Sequence, residues 1–199
     1  PDPKRAYINT IEHIDTEVGR LLKTIDDLEL TDNTYVIYTT DNGPWLPFLH
    51  HGGSAGPLRD GKGTTFEGGQ RVPCVMRGPG IPAGTVCDEL TGTIDLLPTI
   101  AAITGKPLPK EKKIDGLNVS GLWKGTEKNS PRTEFLHYTS RGDLEGIRSE
   151  KWKLLIKKPR RNPNNKPPEV FLFDLSKDLG EQNNLAEAKP AVVRDLWAR

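Results

Sequence analysis

The sequence predicts an α/β chain that ends in a small antiparallel sheet and a last helix. Three observations carry this. A long helical repeat of apolar residues leads into a β-branched and aromatic strand segment. Glycine-rich loops follow that strand, where a buried strand meets a turn. From Thr133 onward, short strand-like runs follow one another through turns. The reading divides the chain into an α/β portion, residues 1–132, and an antiparallel-sheet subdomain, residues 133–199.

The first element is a helix over Ala6–Leu28. Ile8, Ile11, Ile14, Val18, Leu21, Leu22, Ile25 and Leu28 recur at helical spacing. His13 lies in this helix and reads as a half-exposed structural residue rather than a ligand. Asp32-Asn33 turns the chain into the strand Tyr35–Thr40. That strand is apolar on both faces, as expected inside a parallel sheet covered by helices.

Asp41 and Asn42 come at the strand's carboxyl end, and Gly43-Pro44 stop it. A carboxylate and an amide oxygen are hard ligands, placed where open α/β sheets build their sites. Turn chemistry alone is the plainer reading of Asp-Asn-Gly. Trp45–Gly56 is an irregular loop with His50 and His51. Adjacent histidines point different ways, which argues against a joint metal site and leaves either one as a single side chain reaching over a substrate. Lys62 then sits in the turn Asp60-Gly61-Lys62-Gly63. Flanking glycines allow close backbone approach, and an ammonium offers a point charge to an anion. The alternative is a turn residue with no ligand.

Glu67 and Arg71 read as a structural ion pair before a strand over Val72–Met76, with Arg71 holding an anion as the alternative. Pro73 removes a backbone donor there and argues against a fully paired central strand. Cys74 and Cys87, the only cysteines, can be read as a disulfide or as two buried thiols. Asp95–Thr104 is a helix with Pro98 in its first turn and Gly105 as its stop. Lys106–Lys113 is a connector, after which Leu117, Leu122 and Trp123 anchor a short packed segment. Asn118-Val119-Ser120 fits a glycosylation acceptor, an unmodified loop being the plainer reading.

Thr133–Tyr138, Glu145–Arg148, Trp152–Ile156 and Val170–Asp174 are the four strands of the predicted antiparallel sheet. Trp152, Leu154 and Ile156 alternate imperfectly with Lys153 and Leu155. Lys157–Pro168 carries Lys157, Lys158, Arg160, Arg161 and Lys166 and reads as a solvated loop, with recognition of an anionic polysaccharide as the other reading. Pro190 opens a last helix ending near Trp197.

Composition narrows the function classes. Of 199 residues, 34% are hydrophobic, and 20 Gly and 17 Pro imply a loop-rich structure. A net charge of +1 points to neither nucleic acid nor an acidic membrane surface. No apolar run has the length of a transmembrane segment, and PDPKRAYINT is not a signal segment.

Three stretches together resemble a known family: TTDNGP, then GGSAGPLRDGKGTTFEGGQRVP, then GTIDLLPTIAAITG. FDLSKDLGEQNNLAE adds a fourth match near the end. In order and wording they resemble the second half of a sulfatase of the arylsulfatase family. The resemblance implies a partial alkaline phosphatase-like sandwich with a small C-terminal antiparallel sheet. It implies hydrolysis of a sulfate monoester, on a sulfated small molecule or sulfated carbohydrate. In such enzymes a cysteine oxidised to formylglycine attacks sulfur beside a divalent cation, usually Ca2+ and less often Mg2+. Carried over by motif, Asp41 and Asn42 are metal ligands. Lys62 binds the sulfate and stabilises charge toward the leaving group, and His51 is a further substrate contact. A periplasmic, extracellular or lysosomal location is what the resemblance implies.

The departures from the family pattern are as informative. No Cys/Ser-x-Pro-x-Arg nucleophile motif is present, since neither Cys74 nor Cys87 is followed by that Pro and Arg. The family's N-terminal aspartates, second lysine and sulfate-binding histidines are absent too. The chain therefore reads as a C-terminal portion whose partner is the N-terminal half of the same protein, with the nucleophile upstream. Alone it is expected to be inactive. A related phosphatase or phosphonate hydrolase, or a non-catalytic binding homologue, would share the sheet and the metal-binding aspartate.

Overall fold

The computed structural model describes residues 2–159 and 167–199. Arg160, Arg161 and Lys166 of the basic loop lie outside the described residues. Helix α1 spans Pro3–Asp27. Asp2 caps it, its carboxylate accepting the Lys4 N–H at 3.0 Å, and Pro3 takes the first helical position, where a missing N–H costs nothing. No α1 residue is buried, and Ile11, Ile14 and Leu21 are exposed along its apolar stripe. His13 is exposed as well.

Strand β1 covers Val36–Thr39 and β2 covers Cys74–Arg77. They pair antiparallel, from Val36 opposite Arg77 to Thr39 opposite Cys74. The parallel neighbour expected for Tyr35–Thr40 is not among the described residues. Among the described residues β2 is the only strand beside β1, so most of β1 is half-buried rather than enclosed. Arg77 of β2 forms an ion pair with Asp26, which ties the end of α1 to this sheet. Pro73 sits just ahead of β2, outside the ladder, where its missing donor does no harm. Cys74 and Cys87 are exposed free thiols, not a disulfide and not buried.

Helix α2 is one turn, Glu67–Gln70. Helix α3 covers Leu96–Thr104 and stops at Gly105 in the left-handed conformation, φ 64°. A 3-10 turn, Thr93–Asp95, leads into it. The buried Asp95 carboxylate accepts the N–H groups of Gly92 (2.8 Å) and Leu117 (2.7 Å) and pairs with Arg132. One side chain thus ties the start of α3 to the chain on both sides of it. Helix α4, Ser120–Trp123, buries Leu122, while Leu117 stays exposed.

The C-terminal sheet is a meander in which each strand pairs with the next: β3 Glu134–Tyr138, β4 Leu144–Ser149, β5 Trp152–Lys157 and β6 Glu169–Asp174. Helix α5, Pro190–Trp197, follows. Two hydrophobic clusters lie on the sheet. Ile147, Leu154 and Leu172 pack with Leu196 of α5. Leu155 and Phe173 pack with Phe66 and Leu175. Each fully buried Leu or Phe contributes about 1.5–3 kcal/mol relative to exposure, so most apolar stabilisation of the chain sits here. Strand β5 is buried on both faces, which explains its broken alternation. Lys153 shares a face with Leu155 and is as buried as its neighbours.

Candidate functional site

Strand β1 delivers Asp41 and Asn42 into the loop that follows it, with Asp41 exposed and Asn42 half-buried. The Gly43 N–H donates to the Gly69 carbonyl of α2 at 3.2 Å. The Lys62 N–H donates to the Pro44 carbonyl at 2.9 Å. The Gly68 N–H donates to the Arg59 carbonyl at 2.8 Å. The Asp-Asn loop, the Lys62 turn and α2 are therefore packed backbone against backbone. Gly43 is needed for that approach, because a Cβ there would overlap the Gly68 carbonyl oxygen.

The Lys62 turn has its own local logic. Asp60 adopts a left-handed conformation, φ 64°, and its carboxylate accepts the Gly61 N–H at 3.0 Å. Gly63 follows at φ 87°. Lys62 is exposed, with its ammonium 5.8 Å from the centre of the Trp45 ring. The Trp45 and Phe48 rings meet edge to face at 6.4 Å, and His51 stacks on Phe48 at 5.3 Å. His51 is thus linked to Lys62 through two aromatic rings rather than by direct contact. His50 and His51 flank an apolar hollow against the start of α1. Leu49 within this loop holds φ 51°, a strained value for a branched residue.

Asp41 and Asn42 offer oxygen donors suited to a hard cation. Among the described residues no group of three or more His, Cys, Asp or Glu could hold a metal ion. A hard cation takes about six to eight oxygen ligands in calcium sites, so these residues fit part of such a site and not the whole. A cavity of about 380 Å³ opens beside Asp41, bordered also by Ile37, Thr39, Glu67, His137 and Arg148.

The other wall of this region was not legible in the sequence. Glu67 does not pair with Arg71, as the four-residue spacing suggests. α2 ends after one turn and Arg71 is extended, so the two side chains do not share a helix face. Instead the Glu67 carboxylate accepts from Lys153 Nζ at 2.8 Å and lies 3.4 Å from Arg148 Nη1. Lys153, 0% exposed, also meets Glu181 at 3.0 Å. Burial works against the Glu67 charge, but the Lys153 ammonium and the Arg148 guanidinium hold its carboxyl below the usual range. Burial lifts Glu181 above that range against the pull of Lys153. His137, 3% exposed, has no hydrogen-bond partner on either ring nitrogen. Burial, aided by the Lys153 charge, lowers its pKa to about 3, so it is a neutral imidazole. A lysine inside the apolar run Trp152–Ile156 was the one sequence signal for this network.

Comparisons with known proteins bear on what these loops do. A family model described as Sulfatase matches residues 2–106. Human arylsulfatase A is 39% identical over 212 residues, covering 94% of this chain and 41% of that protein. The solved structure of Ps i-CgsB in complex with k-i-k-neocarrahexaose is 28% identical with a TM-score of 0.81, covering 98% of this chain and 42% of that one. The phosphonate monoester hydrolase of Agrobacterium radiobacter is 26% identical with a TM-score of 0.63, covering 94% and 38%. The chain thus spans about 40% of the length of the relatives it matches.

Proposed function

The chain belongs to the sulfatase family, and from that premise we propose that it forms the C-terminal part of a sulfate-monoester hydrolase. On this reading it carries part of the cation site and one sulfate-binding cation. The observation that supports it is the Pro44–Lys62 backbone bond, which packs the loop that follows Asp41 and Asn42 against the Lys62 turn.

Asp41 and Asn42 are the residues that would hold the cation, with calcium preferred for its oxygen ligands. When bound, such a cation neutralises charge on a sulfate oxygen as a Lewis acid. Lys62 places its ammonium on another sulfate oxygen and counters charge that builds toward the leaving group. Gly61 lets the turn pack against Pro44 and Leu46, and Gly63 leaves open space on the other side of Lys62. The remaining ligands and the oxidised cysteine belong to residues outside this chain. Residues 1–199 alone are accordingly expected to hydrolyse no aryl sulfate. The substrate is a sulfated carbohydrate or small molecule, with His51 reaching over it. Support for the carbohydrate comes from the sugar named with Ps i-CgsB.

The test is Lys62→Ala in the complete protein, assayed with a chromogenic aryl sulfate and calcium. Loss of one transition-state donor costs about a hundredfold or more in turnover. Activity within a factor of two of the parent would leave Lys62 a turn residue. Faster turnover of a phosphonate or phosphate ester than of the sulfate would assign the chain to its phosphonate-hydrolysing relatives instead.

A further inference from the structure

We propose that Lys153 is a positioning residue of the candidate cation and sulfate site, acting through Glu67 and Glu181. The inference rests on the function proposed for Asp41, Asn42 and Lys62.

Lys153 lies on β5, in the C-terminal sheet, and touches none of those three residues. Its ammonium is fully buried between two carboxylates, Glu67 Oε1 at 2.8 Å and Glu181 Oε1 at 3.0 Å. Burying an ammonium is costly, and an apolar residue of like volume serves stability at least as well. What the charged triad supplies is a defined geometry, because each carboxylate is tied to backbone leading to the site. Glu181 Oε2 accepts the Glu67 N–H at 2.7 Å, and the Glu181 carbonyl accepts from Arg59 Nη1 at 2.8 Å.

From there two short routes reach the chemistry. Through α2, Gly69 accepts the N–H of Gly43, the residue after Asn42. Through Arg59, whose carbonyl accepts the Gly68 N–H, the chain runs directly to Asp60 and the Lys62 turn. The Pro44–Lys62 bond closes the ring between the routes. Lys153 therefore sits behind a rigid backbone frame that sets the spacing of the Asp41–Asn42 pair from Lys62. Arg148 gives Glu67 a second, longer contact of 3.4 Å, whereas among the described residues only the Lys153 ammonium bridges both carboxylates.

The experiment uses the complete protein. Lys153→Met keeps an unbranched stem as long as that of lysine and removes the bridging ammonium, and Lys153→Arg restores a cation. Where Lys153→Met fails to fold, the triple variant Lys153→Met, Glu67→Gln, Glu181→Gln leaves no buried carboxylate without its cation, only the part-exposed Arg148 losing its partner, and is measured instead. Calcium affinity is read by calorimetry, turnover with a chromogenic aryl sulfate, and folding by thermal unfolding. The folded variant without the ammonium is expected to bind calcium about tenfold more weakly and to lose about tenfold in kcat. Lys153→Arg is expected to recover most of both. A folded variant with wild-type calcium affinity and kcat overturns the positioning role, even if its unfolding temperature falls. A wild-type protein that neither binds calcium nor cleaves the ester overturns the functional reading and this inference with it.

Discussion

Acidification should destabilise the fold through His137. The imidazole is buried in the polar wall of the cavity, near Lys153, Arg148 and Glu67, and its pKa falls to about 3. In the unfolded chain it returns to an ordinary value near 6.5. Between these limits the unfolded state binds a proton that the folded state refuses, so stability falls as pH drops below about 6.5. At pH 5 the unfolded state gains RT ln(1 + 10^1.5), about 2 kcal/mol, and the loss grows by about 1.4 kcal/mol per further unit toward the folded pKa. Glu181, raised by burial, acts in the opposite direction, so the total change with pH is not the readout. The readout is the difference between wild type and His137→Phe, which keeps a ring of similar shape beside Phe135. Urea unfolding of the complete protein at pH 7.5 and pH 5 should show wild type losing about 2 kcal/mol more than the variant. An equal loss in both proteins would refute the assignment. So would a His137 ring signal that titrates near pH 6 in the folded protein.

Gly43→Ala should cost more in activity than in stability. Its Cβ would overlap the Gly68 carbonyl, so the Asp41–Asn42 loop must shift, and turnover should fall at least about tenfold with weaker calcium binding by calorimetry. Asp95→Ala should have the opposite profile. It strands the Arg132 guanidinium and two backbone N–H groups, and should cost about 3–5 kcal/mol in denaturant unfolding while the folded fraction keeps its kcat.

Local chemistry made much of this fold readable. The strands of the C-terminal sheet fall within a residue or two of their predicted bounds, because turns and β-branched or aromatic runs mark them plainly. Helix α3 stops at Gly105 and α5 opens at Pro190 for reasons internal to those residues. Asp41, Asn42 and Lys62 could be singled out because strand ends and glycine turns are local signals. Long-range pairing carries no such mark. Nothing near Glu67 in the sequence announces Lys153, and nothing near Tyr35 says that β2 will be its antiparallel neighbour. His137 looked like any strand residue until its surroundings were known.

The separation of these partners also has a consequence for how the chain is made. Glu67 is held by Lys153, 86 residues later, and by Glu181, 114 residues later. During synthesis from the N-terminus, the Asp41 and Lys62 loops leave the ribosome well before the strands that brace them. The meander can form early once exposed, since its pairings are between neighbours in the chain. The loops must wait for it. Glu67 spends that interval solvated, and its burial against Lys153 and Glu181 belongs among the last steps of maturation. A ribosome stalled before Glu181 emerges would hold a nascent chain with every candidate ligand residue present and the geometry that unites them still unmade.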